Sequence, residues 1–236
     1  MKADRQTPAF SRDVAKRTKR PRRAYVMCSP KSGFVEVRLE SRLEQSVAQA
    51  LELDPRVRAY RAQPYTLDLL TGERLAAQPA SKKSTVSYTP DFEAEVGELV
   101  VAIEVKPRAF LKRHAELFER VRVVLRRQGV RFLVVSEESF PGHYLRNIAL
   151  LMPYLSQASQ ALEGWAAPLQ RRSPEELSGP VAEVLEGLEP ANYHVAAGVL
   201  LGVIQFDLVQ HLFEQMDFIL APAFGALNAF EVIRYE

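Results

Sequence analysis

Asp91, Glu104 and Lys106 are the residues whose types and spacing could do chemistry. Pro90-Asp91 falls in one strand-like segment, and Glu104-Val105-Lys106 ends the next, with twelve residues between Asp91 and Glu104. Side chains alternate along a strand, so Glu104 and Lys106 share a face while Val105 turns to the other. A hairpin of the two segments would set Asp91 beside Glu104, both expected at solvent-facing positions. Two carboxylates a few Å apart, joined by the Val105 carbonyl, make a hard-oxygen site suited to Mg²⁺, with Mn²⁺ as a substitute. Such an ion lowers the pKa of bound water and neutralises charge on a scissile phosphate. Lys106 would orient that water or stabilise a phosphorane-like transition state. The competing reading is a surface cluster of ordinary ion pairs, which contribute little. Charges that end a doubly apolar strand, opposite a Pro-Asp, weigh against it.

The elements that must position these residues follow from hydrophobic period. Leu43, Val47, Ala50 and Leu51 form one apolar stripe, which predicts a helix over 41–53. Ser41 and Glu44 match a capping box at its start, and Asp54-Pro55 stops it. Extended segments are expected at 57–60 and 64–70, a turn at 71–73 and a loop at 76–84. One strand is expected over 86–96, and Gly97-Glu98 turns it into a second over 99–106, apolar on both faces until its last three residues. A helix over 110–127 shows an inner stripe of Phe110, His114, Leu117, Phe118, Val121, Val124 and Leu125, with Gly129 as its C-cap. A buried strand follows at 131–136. Strand, helix and strand at this spacing make a βαβ crossover, hence an α/β domain with a mixed sheet.

Three parts are expected: a basic flexible arm over 1–32, a catalytic domain over 33–150 and a small, mainly helical, winged-helix-like domain over 151–236. Order is expected to begin near Gly33. In the last part, 144–155 reads as a linking helix, 164–174 as polar and broken, and 174–187 and 190–203 as two short helices. The stretch 205–220 reads equally as strand or helix.

Pro90-Asp91 with Glu104-Val105-Lys106 matches the signature of the PD-(D/E)xK nucleases, and the element order resembles their restriction-endonuclease-like core. A longer match is more specific. It runs through Glu40-Ser41-Arg42-Leu43-Glu44, Leu51-Glu52-Leu53-Asp54-Pro55-Arg56-Val57, Tyr60, Gln63-Pro64, Tyr88-Thr89-Pro90-Asp91-Phe92 and Ile103-Glu104-Val105-Lys106. Over roughly 33–150 the chain resembles TnsA, the endonuclease subunit of heteromeric cut-and-paste transposases. The C-terminal part matches much less well. The resemblance implies an endonuclease that cuts the 5′ strands at transposon ends. Its expected partners are double-stranded DNA, a DDE-type (TnsB-like) transposase that cuts and joins the 3′ strands, and an AAA+ (TnsC-like) ATPase regulator. It also implies a first catalytic carboxylate on the early helix, matched by Glu44, with Glu40 the alternative. Glu44 equally suits its capping role. Glu104 stands where some relatives carry Gln, so full metal binding is expected of the set Glu44, Asp91, Glu104 and Val105, with Lys106 catalytic.

Charge is distributed unevenly. Residues 1–23 hold nine Lys/Arg against two Asp, while 151–236 hold three basic against 11 acidic residues. The basic end, including Arg17, Lys19, Arg20, Arg22 and Arg23, suits a polyanion or is a solvated tail. The acidic end would repel phosphate, so it either contacts protein or only forms its own core. Lys82, Lys83, Arg108, Lys112 and Arg113 flank the motif and either grip phosphates or are solvated. Glu93 and Glu95 alternate with Asp91 and read as exposed strand residues, or else extend the acidic site. His114 reads as a packed core histidine, and His143, His194 and His211 lack metal spacing. No P-loop, G-x-G-x-x-G or nucleophile motif is present. With a single Cys, Cys28, and no long apolar run, the chain is expected in a reducing cytoplasmic, nucleoid-associated setting without a membrane span. Two other functions fit the same residues: a stand-alone restriction or repair nuclease, and a non-catalytic DNA-binding scaffold.

Overall fold

The computed structural model describes residues 25–33, 35–75, 87–156 and 159–235. The fold is mixed α/β and divides into two compact units. The first comprises 1–52, 56–139 and 235–236; the second comprises 53–55 and 140–234.

In the first unit, β1 (Tyr25–Ser29) pairs antiparallel with β2 (Val35–Leu39), so regular structure begins before the expected Gly33. The apolar face of β2, Val37 and Leu39, is buried and gives this hairpin its anchorage. The expected helix is α1 (Arg42–Leu53), with Val47, Ala50 and Leu51 buried on its stripe. Next come β3 (Val57–Ala62), β4 (Thr66–Asp68), β5 (Arg74–Leu75) and β6 (Ser87–Tyr88). Then follow β7 (Phe92–Val96), β8 (Leu99–Val105), α2 (Arg108–Arg126) and β9 (Val130–Val135). The main sheet has the order β3-β7-β8-β9, with β8 and β9 parallel and the other pairs antiparallel. The parallel pair joined through α2 is the crossover that the strand-helix-strand spacing implied.

The expected single strand over 86–96 is two strands in two different sheets. β6 pairs with β4 in a three-stranded sheet of order β5-β4-β6, while β7 joins the main sheet. Pro90 lies at the break, where its missing N–H cannot serve a ladder. Thr66 Oγ1 and Thr89 Oγ1 are 2.9 Å apart and tie the break to β4. Tyr65, Leu67, Tyr88, Ala102, Phe118, Val121, Leu125 and Phe132 form one buried cluster that holds α2 and the small sheet to the main sheet. Phe110 does not join it, being 48% exposed; burial on α2 starts two turns later, at Phe118.

In the second unit, α3 (Tyr144–Ser156) agrees with the expected helix. The segment expected to be broken at 164–174 instead largely belongs to α4 (Ser159–Gln170). Leu162, Ala166 and Leu169 lie at helical spacing and are buried, and this apolar face outweighs Gly164 and Pro168. The helix expected over 174–187 shrinks to α5 (Val181–Val184), after β10 (Gly179–Pro180). The other short helix is α6 (Ala191–Leu200). The stretch 205–220 is neither one strand nor one helix. β11 (Ile204–Gln205) and β12 (Ile219–Pro222) bracket turns and a short 3₁₀ segment, and the three small strands pair antiparallel. Buried Asn147 organises these turns, donating to the carbonyls of Leu208 and His211 and accepting from the Phe213 N–H. No described helix is long and apolar enough to cross a membrane.

Candidate active site

β8 brings Glu104 into the buried run 101–105 that ends the strand. The register pairs Phe92 with Ile103, so Asp91, one residue before β7, stands opposite Glu104. Directly opposed residues share a sheet face, so both carboxylates lie on one side. Asp91 therefore caps the strand from outside it rather than lying within it. Its Oδ2 accepts the Val105 N–H at 2.7 Å, and its carbonyl accepts the Gln63 N–H at 2.9 Å. Lys106 N–H instead goes to the Val135 carbonyl at 2.9 Å. Amide and carbonyl of one strand residue point to the same side, so the Val105 carbonyl also faces the Asp91 side.

The expectation of solvent-facing carboxylates fails for Glu104, which is 5% exposed, and Asp91 is half-buried. A buried carboxylate needs partners, and Glu104 has two. Its Oε1 lies 2.9 Å from Lys106 Nζ, and its Oε2 accepts the Tyr88 hydroxyl at 2.5 Å. Lys106 keeps some solvent access, with its side chain 30% exposed.

Glu44, also buried, comes from the first turn of α1. Its Oε1 accepts the Ser41 hydroxyl at 2.9 Å and its Oε2 the Glu40 N–H at 2.8 Å, while its own N–H goes to Ser41 Oγ. The capping role is thus real, and it does not exclude the other. Glu44 also acts electrostatically on both Asp91 and Glu104. Glu40 turns to Gln63, accepting from its Nε2 at 3.3 Å. Of the two helix-end carboxylates, Glu44 is the one whose charge raises the Asp91 carboxyl.

Two of these acids, Asp91 and Glu44, hold their protons more tightly than free carboxyls do. Desolvation, then the charges of Glu104 and Glu44, push the Asp91 carboxyl well above the usual range. Burial likewise raises Glu44, against the Glu40 amide and Ser41, which lower it. For Lys106, burial opposes the charge, but Glu104, Asp91 and Glu44 together hold its ammonium pKa above the ordinary value. Lys106 is therefore a cation, suited to stabilise negative charge and unsuited to act as a base. The donor set is all oxygen, which fits a hard dication. Among the described residues no three acidic, His or Cys side chains stand close enough to enclose a metal ion as placed.

Other candidates fall outside this cluster. Glu93 was expected to be exposed, yet it is buried and faces Arg61 at 3.3 Å and Arg74 at 3.1 Å. Arg74 reaches it from β5, a sheet that the sequence pattern did not reveal. Glu95 is exposed, 3.9 Å from Arg58. Arg108 is taken up by Glu138, whereas Lys112 and Arg113 are exposed on the first turns of α2. His114 is half-buried and stacks on Phe118 at 5.7 Å between centroids. His194 is buried, with Nδ1 2.7 Å from the Trp165 carbonyl oxygen. Arg17, Lys19, Arg20, Arg22, Arg23, Lys82 and Lys83 lie outside the described residues.

Two residues near the carboxylates had no role assigned from sequence. Gln63 is buried with φ of 46°, an uncommon conformation for a residue other than glycine, and it bonds to both Asp91 and Glu40. Tyr88 reaches Glu104 from a different sheet. The conformation of Gln63 leaves no trace in period or composition, and neither does the sheet change at Pro90.

No protein-family model matches the chain, and no curated protein matches it. The likeness to TnsA rests on the residues quoted above.

Proposed function

We propose that this chain is a Mg²⁺-dependent DNA endonuclease subunit of a heteromeric cut-and-paste transposase, built on a PD-(D/E)xK core and cutting the 5′ strands at transposon ends. The observation that supports this most is the placing of Asp91 opposite Glu104 and Lys106 at the end of β8, within electrostatic reach of Glu44. Among the described residues, three carboxylates within electrostatic reach of one another meet a single lysine, an excess of acid that a structural ion pair would not need. Asp91 and Glu104 would hold the metal ion, with the Val105 carbonyl and Glu44 beside them. The ion would supply charge neutralisation and an acidified water. Lys106, kept as an ammonium ion, would then face the developing charge on the phosphate oxygens. The DDE-type transposase and AAA+ regulator are proposed as the partners that place the catalytic part on DNA, since 24–150 hold 19 basic against 16 acidic residues. The acidic second unit would be the part that meets protein.

The test combines the chain with its transposase and end-bearing DNA and reads 5′-strand nicks with Mg²⁺ and with EDTA. Metal-dependent nicks lost in Asp91→Asn support the reading; nicks unaffected by that change end it. One observation favours a non-catalytic scaffold instead: both Glu104 oxygens are already engaged, by Lys106 and by Tyr88. That reading expects DNA or partner binding with no nicking in any partner combination.

A further inference from the structure

We propose that Tyr88 is a positioning residue that orients the Glu104 carboxylate for metal binding. The inference rests on the nuclease reading and adds a residue to which the sequence assigns no role.

The hydroxyl of Tyr88 donates to Glu104 Oε2 at 2.5 Å, and both residues are buried. The ring cannot easily turn away. It meets Phe132 edge-on, with centroids 6.0 Å apart and planes at 81°. Its backbone is fixed by pairing with Leu67 in the small sheet. The donor is thus held by one sheet and the acceptor by another, so the bond sets the carboxylate's rotation independently of β8.

The choice of donor matters for a ligand. An ionised carboxylate offers about four lone-pair sites. Tyr88 and Lys106 take one on each oxygen, which leaves the others for a cation. A second lysine or an arginine in place of Tyr88 would cancel the charge that draws the metal ion. A neutral hydroxyl fixes geometry and leaves the charge in place. Partners of this kind around metal ligands typically change metal affinity or activity about 10–100-fold when removed.

Tyr88→Phe keeps the ring and its contact with Phe132 and deletes only the hydroxyl. Mn²⁺ binding to the full chain is read by calorimetry, alongside the Mg²⁺ concentration for half-maximal nicking. The expected result is an Mn²⁺ dissociation constant raised about tenfold, a matching rise in half-saturating Mg²⁺, and nicking at saturating Mg²⁺ close to wild type. Phe132→Leu serves as the packing control, because it loosens the same contact and keeps the hydroxyl. It is expected to lower thermal stability and to raise the Mn²⁺ dissociation constant clearly less than loss of the hydroxyl does. Wild-type affinity in Tyr88→Phe overturns the inference, as does an equal loss in both variants, which would reduce Tyr88 to packing. Absence of Mn²⁺ binding by the wild-type chain would defeat the metal-dependent reading itself, a different result from binding that the variant leaves unaltered.

Discussion

Asp91 and Glu93 are two residues apart and on the same side of the main sheet, yet their surroundings are opposite. Glu93 is buried against two arginines, Arg61 and Arg74. Asp91 feels the charges of two further carboxylates, and among the described residues the lysine that offsets them, Lys106, is already 2.9 Å from Glu104. A carboxylate kept only for stability is expected to resemble Glu93, since an uncompensated buried charge costs several kcal/mol. Asp91 departs from that pattern, and such departures concentrate where a site binds something that supplies the missing charge. The segment 91–93 thus holds a structural acid and a candidate catalytic acid side by side.

The sharpest way to break this comparison is to neutralise each acid in turn. Asp91→Asn should lower metal-dependent nicking by about a thousandfold or more, on the scale of losing a principal catalytic group. Its amide oxygen can still accept from Val105, so folding should persist, and the metal-free protein should melt a few °C higher than wild type. Asp91→Ala should abolish nicking equally but melt lower, because the Val105 N–H then lacks its acceptor, at a cost of about 1–3 kcal/mol. Calorimetric melts and strand-cleavage gels separate these outcomes. Glu104→Ala should behave like Asp91→Ala. Equal nicking by Asp91→Asn and wild type would remove the distinction between the two acids.

Lys106→Ala should come next, lowering nicking by about a hundredfold or more while the chain still binds Mn²⁺, because an ammonium group is not a ligand. Loss of Mn²⁺ binding along with nicking would show that Lys106 acts by holding Glu104 in place.

Glu93→Gln should leave nicking within about twofold of wild type and lower stability by about 1–3 kcal/mol, since two arginines lose their buried partner. Denaturant titration measures this. A large nicking defect would place Glu93 in the metal site after all.

The pH dependence of stability should also single out Asp91. Asp91 binds its proton more tightly in the fold than in the unfolded chain, where its pKa is about 3.9. A group raised in this way favours the fold most below its unfolded value, and that contribution is lost as pH rises toward the folded value. Metal-free wild type should therefore lose stability relative to Asp91→Asn as pH rises from about 4, and added Mg²⁺ should narrow the gap. A constant difference between the two across the range would show that Asp91 is not strained by its neighbours.

The smallest effect concerns the basic N-terminal residues. Deleting 1–23 removes nine Lys/Arg and two Asp, and should flatten the dependence of log affinity for DNA on log salt without altering melting. An unchanged slope would show these residues idle in DNA binding.

The sequence by itself determined a good deal of this protein. Period placed α1, α2 and the β8–α2–β9 crossover, because an apolar stripe can be buried in few ways. Local spacing placed Ser41 and Glu44 in a helix cap, since capping partners are neighbours in the chain. Twelve intervening residues and a Gly97-Glu98 turn were enough to set Asp91 opposite Glu104. What only the tertiary structure decided are contacts between elements remote in sequence. Arg74 comes from β5 to neutralise Glu93, and Tyr88 crosses from β6 to hold Glu104. The apolar face of α4 likewise overrides a proline and a glycine that read as breakers. Whether an acid on a strand is exposed, paired or left against other acids depends on which side chains the neighbouring sheet delivers. Residue type and local spacing do not encode that, because it is set by packing over separations of about 15–30 residues along the chain.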